Sequence, residues 1–165
     1  MKKMTTYLLI AIVAIIAIVL IIGLFLPKER TFTKTAVLNS DVKKVFNIVT
    51  DFKNQTSWRN DVKEIIVIDN YTWTEVPKKG TAITFKVKQK VENEIFEIEI
   101  IEPKNFNGHW VGTFKQTKPN ETAIEFKEVV TFSNPFFRTI SYLFVDLDKT
   151  MDLYLENLKQ KLSKY

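Results

Sequence analysis

The chain has no cysteine, a single histidine and only four glycines among its 165 residues. Without cysteine there is no disulfide framework, and one histidine cannot supply a zinc-binding set. No G-x-S-x-G elbow and no phosphate-cradling glycine loop occurs, which removes the serine-hydrolase and P-loop signatures. The sequence also lacks a concentrated basic face. Lys86, Lys88 and Lys90 are followed by Glu97, Glu99 and Glu102 on the next strand-like segment, so the charges pair instead of clustering as nucleic-acid recognition requires. These absences leave no metalloenzyme, nucleotidase or nucleic-acid binder to expect, and no cofactor.

One long apolar run is present. From Tyr7 to Leu26 no residue carries a charge, and about 20 residues at 1.5 Å each suffice to cross the hydrocarbon core of a bilayer. A cleaved secretory signal is the competing reading, favoured by Lys2 and Lys3. Signal cores, however, run about 7–15 residues and end in a small-x-small site, whereas this run is longer and stops at Phe25-Leu26-Pro27-Lys28. The expectation is an uncleaved single-pass anchor over residues 1–27 and one domain over 28–165, a monomer whose first partner is the lipid bilayer. Basic residues lie on both flanks, Lys2 and Lys3 before the run and Lys28, Arg30 and Lys34 after it, so charge does not decide orientation. The six-residue tail fits an amino terminus kept in the cytoplasm, with the domain on the other side.

Beyond the run the domain holds 22 basic and all 19 acidic residues, a mild +3. Of the 13 phenylalanines only Phe25 falls in the run, and the others recur at strand and helix spacing, which predicts an aromatic interior. Residues 30–38 read as a first strand. Ser40 then offers an N-cap and Asp41 a first-turn anion for a helix carrying Val42, Val45, Phe46 and Val49 to about Asp51. A short helical turn over 53–58 follows. Strands are expected over 62–68, 81–91, 95–102, 109–115 and 122–132, with 71–76 as an extension or loop edge.

Two hairpins emerge from the patterning. With Glu92-Asn93 as a two-residue turn, Lys88 faces Glu97, Val87 faces Ile98, Lys86 faces Glu99 and Phe85 faces Ile100, so both faces match at once. The second hairpin turns at Lys118-Pro119-Asn120. Asn134 and Pro135 then open one long terminal helix, its apolar stripe formed by Ile140, Leu143, Phe144, Leu147, Met151, Tyr154, Leu155, Leu158 and Leu162. Arg138, Lys149, Asp152 and Glu156 fall on the opposite face.

This order of one strand, a short helical pair, a run of antiparallel strands and a terminal helix resembles the helix-grip fold, an α+β architecture. Ser40-Asp41-Val42-Lys43-Lys44-Val45-Phe46 with Asp51-Phe52 and Trp58 resembles the opening of the SRPBCC superfamily, which includes START, birch-pollen-allergen-like and polyketide cyclase/dehydrase proteins. Leu143 to Lys149 and Leu155 to Lys159 are similar to the terminal helix of its membrane-anchored polyketide cyclase/lipid-transport branch, whose members also begin with an apolar span ending near Leu-Pro. The likeness covers nearly the whole chain and departs from the family in its scarcity of glycine.

The resemblance implies a curved sheet around the terminal helix, enclosing an apolar cavity for a lipid, sterol or polyketide-like molecule. Its walls would be drawn from Trp58, Phe85, Val87, Phe96, Ile98, Trp110, Phe114, Phe126, Phe144, Leu147 and Met151. Trp73 is a further aromatic that can line a pocket or fill a core. Three functions are carried forward: a membrane-anchored module binding an apolar small molecule, a cyclase or dehydratase using Asp148 or His109 as acid/base, and a filled-core interaction module without ligand. Asp148 enters as a carboxyl at the edge of the apolar stripe, His109 as a strand-head neighbour of Trp110.

Overall fold

A computed structural model of the protein describes residues 2–104 and 106–164. The apolar run forms helix α1 (Lys2–Phe25), exposed from Lys3 onward except at Val19, Gly23 and the following Leu26. It is the one helix among the described residues long and apolar enough to cross a membrane. Three residues separate it from strand β1 (Glu29–Leu38), after which come α2 (Val42–Thr50) and a 3-10 turn (Phe52–Ser57).

Six further strands follow, β2 (Val62–Val67), β3 (Thr72–Pro77), β4 (Ile83–Val91), β5 (Ile95–Glu102), β6 (Asn107–Lys118) and β7 (Glu121–Thr131). Together they form one antiparallel, curved seven-stranded sheet in the order β1-β7-β6-β5-β4-β3-β2. The chain thus closes β1 against its last strand, from Glu29 opposite Thr131 to Leu38 opposite Thr122. This is the helix-grip arrangement.

Local chemistry explains the element boundaries. Asp41, one residue later than expected, is the cap of α2, its carboxylate accepting from the Lys44 N–H at 2.9 Å. Ser40 instead is buried, and its carbonyl accepts the Thr122 hydroxyl at 2.7 Å, which ties the helix entrance to β7. The segment expected over 71–76 as an extension or loop edge is instead a full strand, β3 (Thr72–Pro77), antiparallel to both β2 and β4.

In the first hairpin Phe85–Ile100, Lys86–Glu99 and Val87–Ile98 pair as the charge and apolar matching predicts. The turn is one residue longer than expected, with Asn93 at φ 62° in the left-handed region that asparagine tolerates. Lys88 bulges out to restore the register, so Glu97 faces Gln89 along the backbone while the Lys88 ammonium still reaches Glu97 at 2.9 Å.

The terminal helix is two helices, not one. Asn134 caps α3 (Pro135–Phe144) as expected, accepting from the Phe136 and Phe137 N–H groups. The helix then stops at Val145, which is extended, and Asp146 caps a new helix α4 (Leu147–Ser163) by accepting from the Lys149 N–H. A β-branched residue followed by an N-capping aspartate is the local cause.

The core lies between the sheet and α2 and α4. Val45, Phe46 and Val49 of α2, Trp73, Phe114 and Phe126 of the sheet, and Met151, Leu155 and Leu158 of α4 are all buried there. Ring contacts run through it, from Phe52 stacked on Trp73 (4.2 Å) to Phe46 edge-on to Phe114 (5.2 Å).

Candidate functional site

Strand alternation decides what faces the inside of the grip. On β7 the inward positions Thr122, Ile124 and Phe126 are buried, and the next inward position is Glu128. On β3 the inward positions are Trp73 and then Glu75. Two carboxylates therefore stand where the pattern calls for apolar side chains.

Arg59, just after the 3-10 turn, closes over Glu75. Its Nη1 donates to both Glu75 carboxylate oxygens (3.0 and 2.9 Å) and to Gln55 Oε1 (2.7 Å), while Nε and Nη2 fork onto Asp61 (3.3 and 2.6 Å). The side chain is only 11% exposed. Trp73 Nε1 donates to Glu75 Oε1 at 3.4 Å. Burial works against the Arg59 charge, and the Glu75 and Asp61 carboxylates more than reverse it, holding the guanidinium firmly protonated. Burial likewise works to raise the Asp61 pKa, and hydrogen bonding from Arg59 brings it below the usual carboxylate range.

Glu128 is different. None of the described residues donates a hydrogen bond to its carboxylate, and burial, with the Glu75 charge adding to it and Arg59 only partly opposing, pushes its pKa up to about 7. Tyr154 of α4 joins the cluster to an aromatic layer. The Arg59 guanidinium lies 5.2 Å from its ring centre, and the ring meets Trp58 at 5.3 Å, Phe126 at 5.8 Å and Trp110 at 6.2 Å. Burial raises the Tyr154 phenol above its ordinary range despite Arg59, keeping it a neutral donor. Gly112 makes room for Trp110, because a Cβ there would sit 2.6 Å from the indole.

The site therefore couples an apolar, ring-lined layer to a fixed cation, the two carboxylates paired with it and one carboxyl whose pKa is raised to about 7. No group of three or more metal-ligating side chains occurs among the described residues.

The residues expected from sequence divide clearly. Phe96, Ile98, Phe114, Phe126 and Met151 are in the buried core cluster, and Trp58, Phe85, Val87 and Trp110 pack against it. Phe144 does not join them: it is 76% exposed at the end of α3. Leu147 starts α4 outside the core cluster, because the break at Val145 rotates both residues off the stripe. Asp148 points to solvent and shares Lys34 with Asp152 (2.9 and 2.8 Å). His109 pairs with Glu99 and Val129, on the opposite sheet face from Trp110. Around Tyr154 the rings of Trp58, Phe126 and Trp110 pack at 5.3, 5.8 and 6.2 Å between centres. Two shallow depressions of about 480 and 460 Å³ lie at the surface, one beside Val37 and Glu125 and one between α2 and Lys161.

Sequence reasoning missed Arg59, Glu75 and Glu128. The signal was available for the two carboxylates, each interrupting an apolar alternation at an inward position. Arg59 sits in an irregular segment with no periodicity to place it.

No protein-family model matches the sequence, and no curated protein sequence resembles it significantly. Solved structures do share the fold. A START superfamily protein from Mycobacterium smegmatis superposes with TM-score 0.67 at 12% identity, over 81% of this chain and 97% of that one. Norcoclaurine synthase from Thalictrum flavum, in complex with dopamine and hydroxybenzaldehyde, gives 0.67 at 6% identity, over 83% and 88%. A conserved protein from Geobacillus kaustophilus gives 0.67 at 9%, over 82% and 96%.

Proposed function

We propose that this START-like helix-grip domain is a monomeric, membrane-anchored module that takes up an apolar, lipid-like small molecule between its sheet and α4. The observation that carries the reading is Glu128, a half-buried acid on the inner sheet face, opposite Phe32 and Trp110, that receives no hydrogen bond from the described residues. A carboxyl held largely out of water without a partner costs stability, and an apolar residue would serve better there if nothing bound to it. A ligand whose polar end donates to Glu128, and whose apolar body lies against Trp58, Trp110 and Tyr154, supplies the missing partner.

The fold supports a small-molecule site, since norcoclaurine synthase holds dopamine and hydroxybenzaldehyde. The apolar α1 supports a bilayer as the source of the ligand. Entry requires the aromatic layer to part, with the Trp58 and Tyr154 rings the natural ones to move because Trp58 is only half-buried.

A second reading, an enzyme acting on an apolar substrate, is favoured by one observation. A carboxyl with pKa about 7 is suited to general acid/base work at neutral pH, and this moves the candidate from Asp148 and His109 to Glu128.

Native mass spectrometry of the detergent-extracted full chain tests both. A co-purified or added amphiphile should appear as a bound mass and be lost on Trp110→Ala. Absence of any bound lipid, fatty acid or apolar dye on the wild-type protein would overturn binding. Retained binding in Glu128→Gln with loss of a chemical change in the bound molecule would favour the enzyme.

A further inference from the structure

Helix α3 is built inside out for an aqueous protein. Its polar side chains Arg138, Thr139 and Ser141 are 2–3% exposed, whereas Phe136, Phe137, Leu143 and Phe144 are 36–76% exposed. In water such a face is a liability.

These three buried polar side chains are satisfied within the protein. Arg138 donates to the carbonyls of Gly23, Leu26, Phe132 and Ser133 at 2.7–3.2 Å, two of them at the open end of α1. Thr139 donates to the Val19 carbonyl at 2.8 Å, and Ser141 to that of Arg138. Asn134 caps the first N–H groups, Pro135 has none to satisfy, and Arg30 donates to the Ser141 and Val145 carbonyls at the other end. Internal satisfaction of this kind is what a hydrocarbon environment demands.

The contact with α1 sets the depth. Val19 and Gly23, one turn apart, are covered by α3, and a Cβ on Gly23 would lie 2.0 Å from the Pro135 carbonyl oxygen. Since Val19 precedes Phe25 by six residues, α3 touches α1 about 9 Å below the end of the span at 1.5 Å per residue. Arg30, stacked 4.5 Å over Tyr142, marks a boundary where a cation and an amphipathic ring meet the headgroups.

We infer that α3 is a second membrane element, seated in the outer hydrocarbon of the leaflet where α1 ends, with Leu143 and Phe144 against lipid. The inference rests on α1 spanning the bilayer. It accounts for the break at Val145, which lets the chain leave the lipid before α4 returns to the sheet.

Since the chain has no cysteine, single labels are unambiguous. Nitroxide-labelled Leu143→Cys, Phe144→Cys, Ile15→Cys and Val37→Cys variants of the full chain, in phosphatidylcholine/phosphatidylglycerol vesicles, would be compared for collisions with oxygen and with a water-soluble nickel chelate. All four sites are exposed side chains, so folding should survive, as circular dichroism can verify. The expected result is oxygen access several-fold above nickel access at 15, 143 and 144, and the reverse at 37. Nickel access at both 143 and 144 with a lipid-exposed 15 would overturn the inference and leave the anchor standing. Shielding from both reagents at 143 and 144, the signature of a second copy or another protein covering the face, would overturn it equally. Nickel access at 15 would instead refute the anchor itself.

Discussion

Replacing Glu128 by glutamine should stabilise the protein above neutral pH and leave it unchanged in acid. In the unfolded chain the carboxyl titrates near 4.5, whereas burial beside Glu75 raises it to about 7 in the folded state. Below pH 4.5 both states hold the proton and this group contributes no pH dependence. Between 4.5 and 7 the folded state binds more protons than the unfolded one, so stability falls as pH rises, and above 7 the full loss is present. At 1.36 kcal/mol per unit this amounts to about 3 kcal/mol. Glutamine keeps the shape of the protonated acid at every pH, so Glu128→Gln should match the wild type at pH 4 and exceed it by about that amount at pH 8. For a chain of this length the gap in midpoint is on the order of 6 to 12 °C. Thermal unfolding of both full-length proteins in detergent from pH 4 to pH 8 measures it. Groups that titrate alike in both, Asp61 among them, cancel in the difference. A gap that does not widen between pH 4.5 and 7 would show that the carboxyl is solvated, and with it the argument for a partnerless buried acid would fail.

Arg59→Met should destabilise the protein by about 3–5 kcal/mol by stranding Glu75 and Asp61 in a buried setting; a chemical-denaturation loss below about 1 kcal/mol would mean that water already reaches the pair. Phe85→Asp, which places a carboxylate against Trp73, should cost several kcal/mol, whereas exposed Lys86→Asp should cost less than about 1; equal shifts in melting temperature would contradict the sheet face assigned to them. Gly23→Leu should force α3 from α1 and speed amide exchange over residues 136–144, and unchanged exchange would count against the close approach. With the amino terminus in the cytoplasm, protease added to intact cells should degrade the domain, and full protection would reverse that orientation.

The fold was legible because its strands are amphipathic and its charges match across them. Lys86 with Glu99 and Val87 with Ile98 fix a register on both faces at once, a constraint strong enough to survive the longer turn and the bulge at Lys88. The terminal helix was misjudged at Val145, because helical periodicity continues through the break and only the capping geometry of Asp146 reveals it. Arg138 shows why a helical wheel misleads here: it lies opposite the stripe, yet the face opposite the stripe is covered by α1, a long-range contact no local pattern encodes. The site was legible in part. Its aromatic wall follows from alternation, while Arg59 is placed by tertiary packing alone.

The link between α1 and β1 is three residues, Leu26 to Lys28. Fully extended, such a link reaches about 10 Å, and Arg138 shortens the freedom further by gripping the helix end. With α1 anchored as proposed, a domain on so short a leash trades molecules with the leaflet beneath it or with a partner that comes to it. Under that proposal it does not ferry cargo across an aqueous gap, and a lipid-handling role would be that of a stationary receiver or presenter at its own surface.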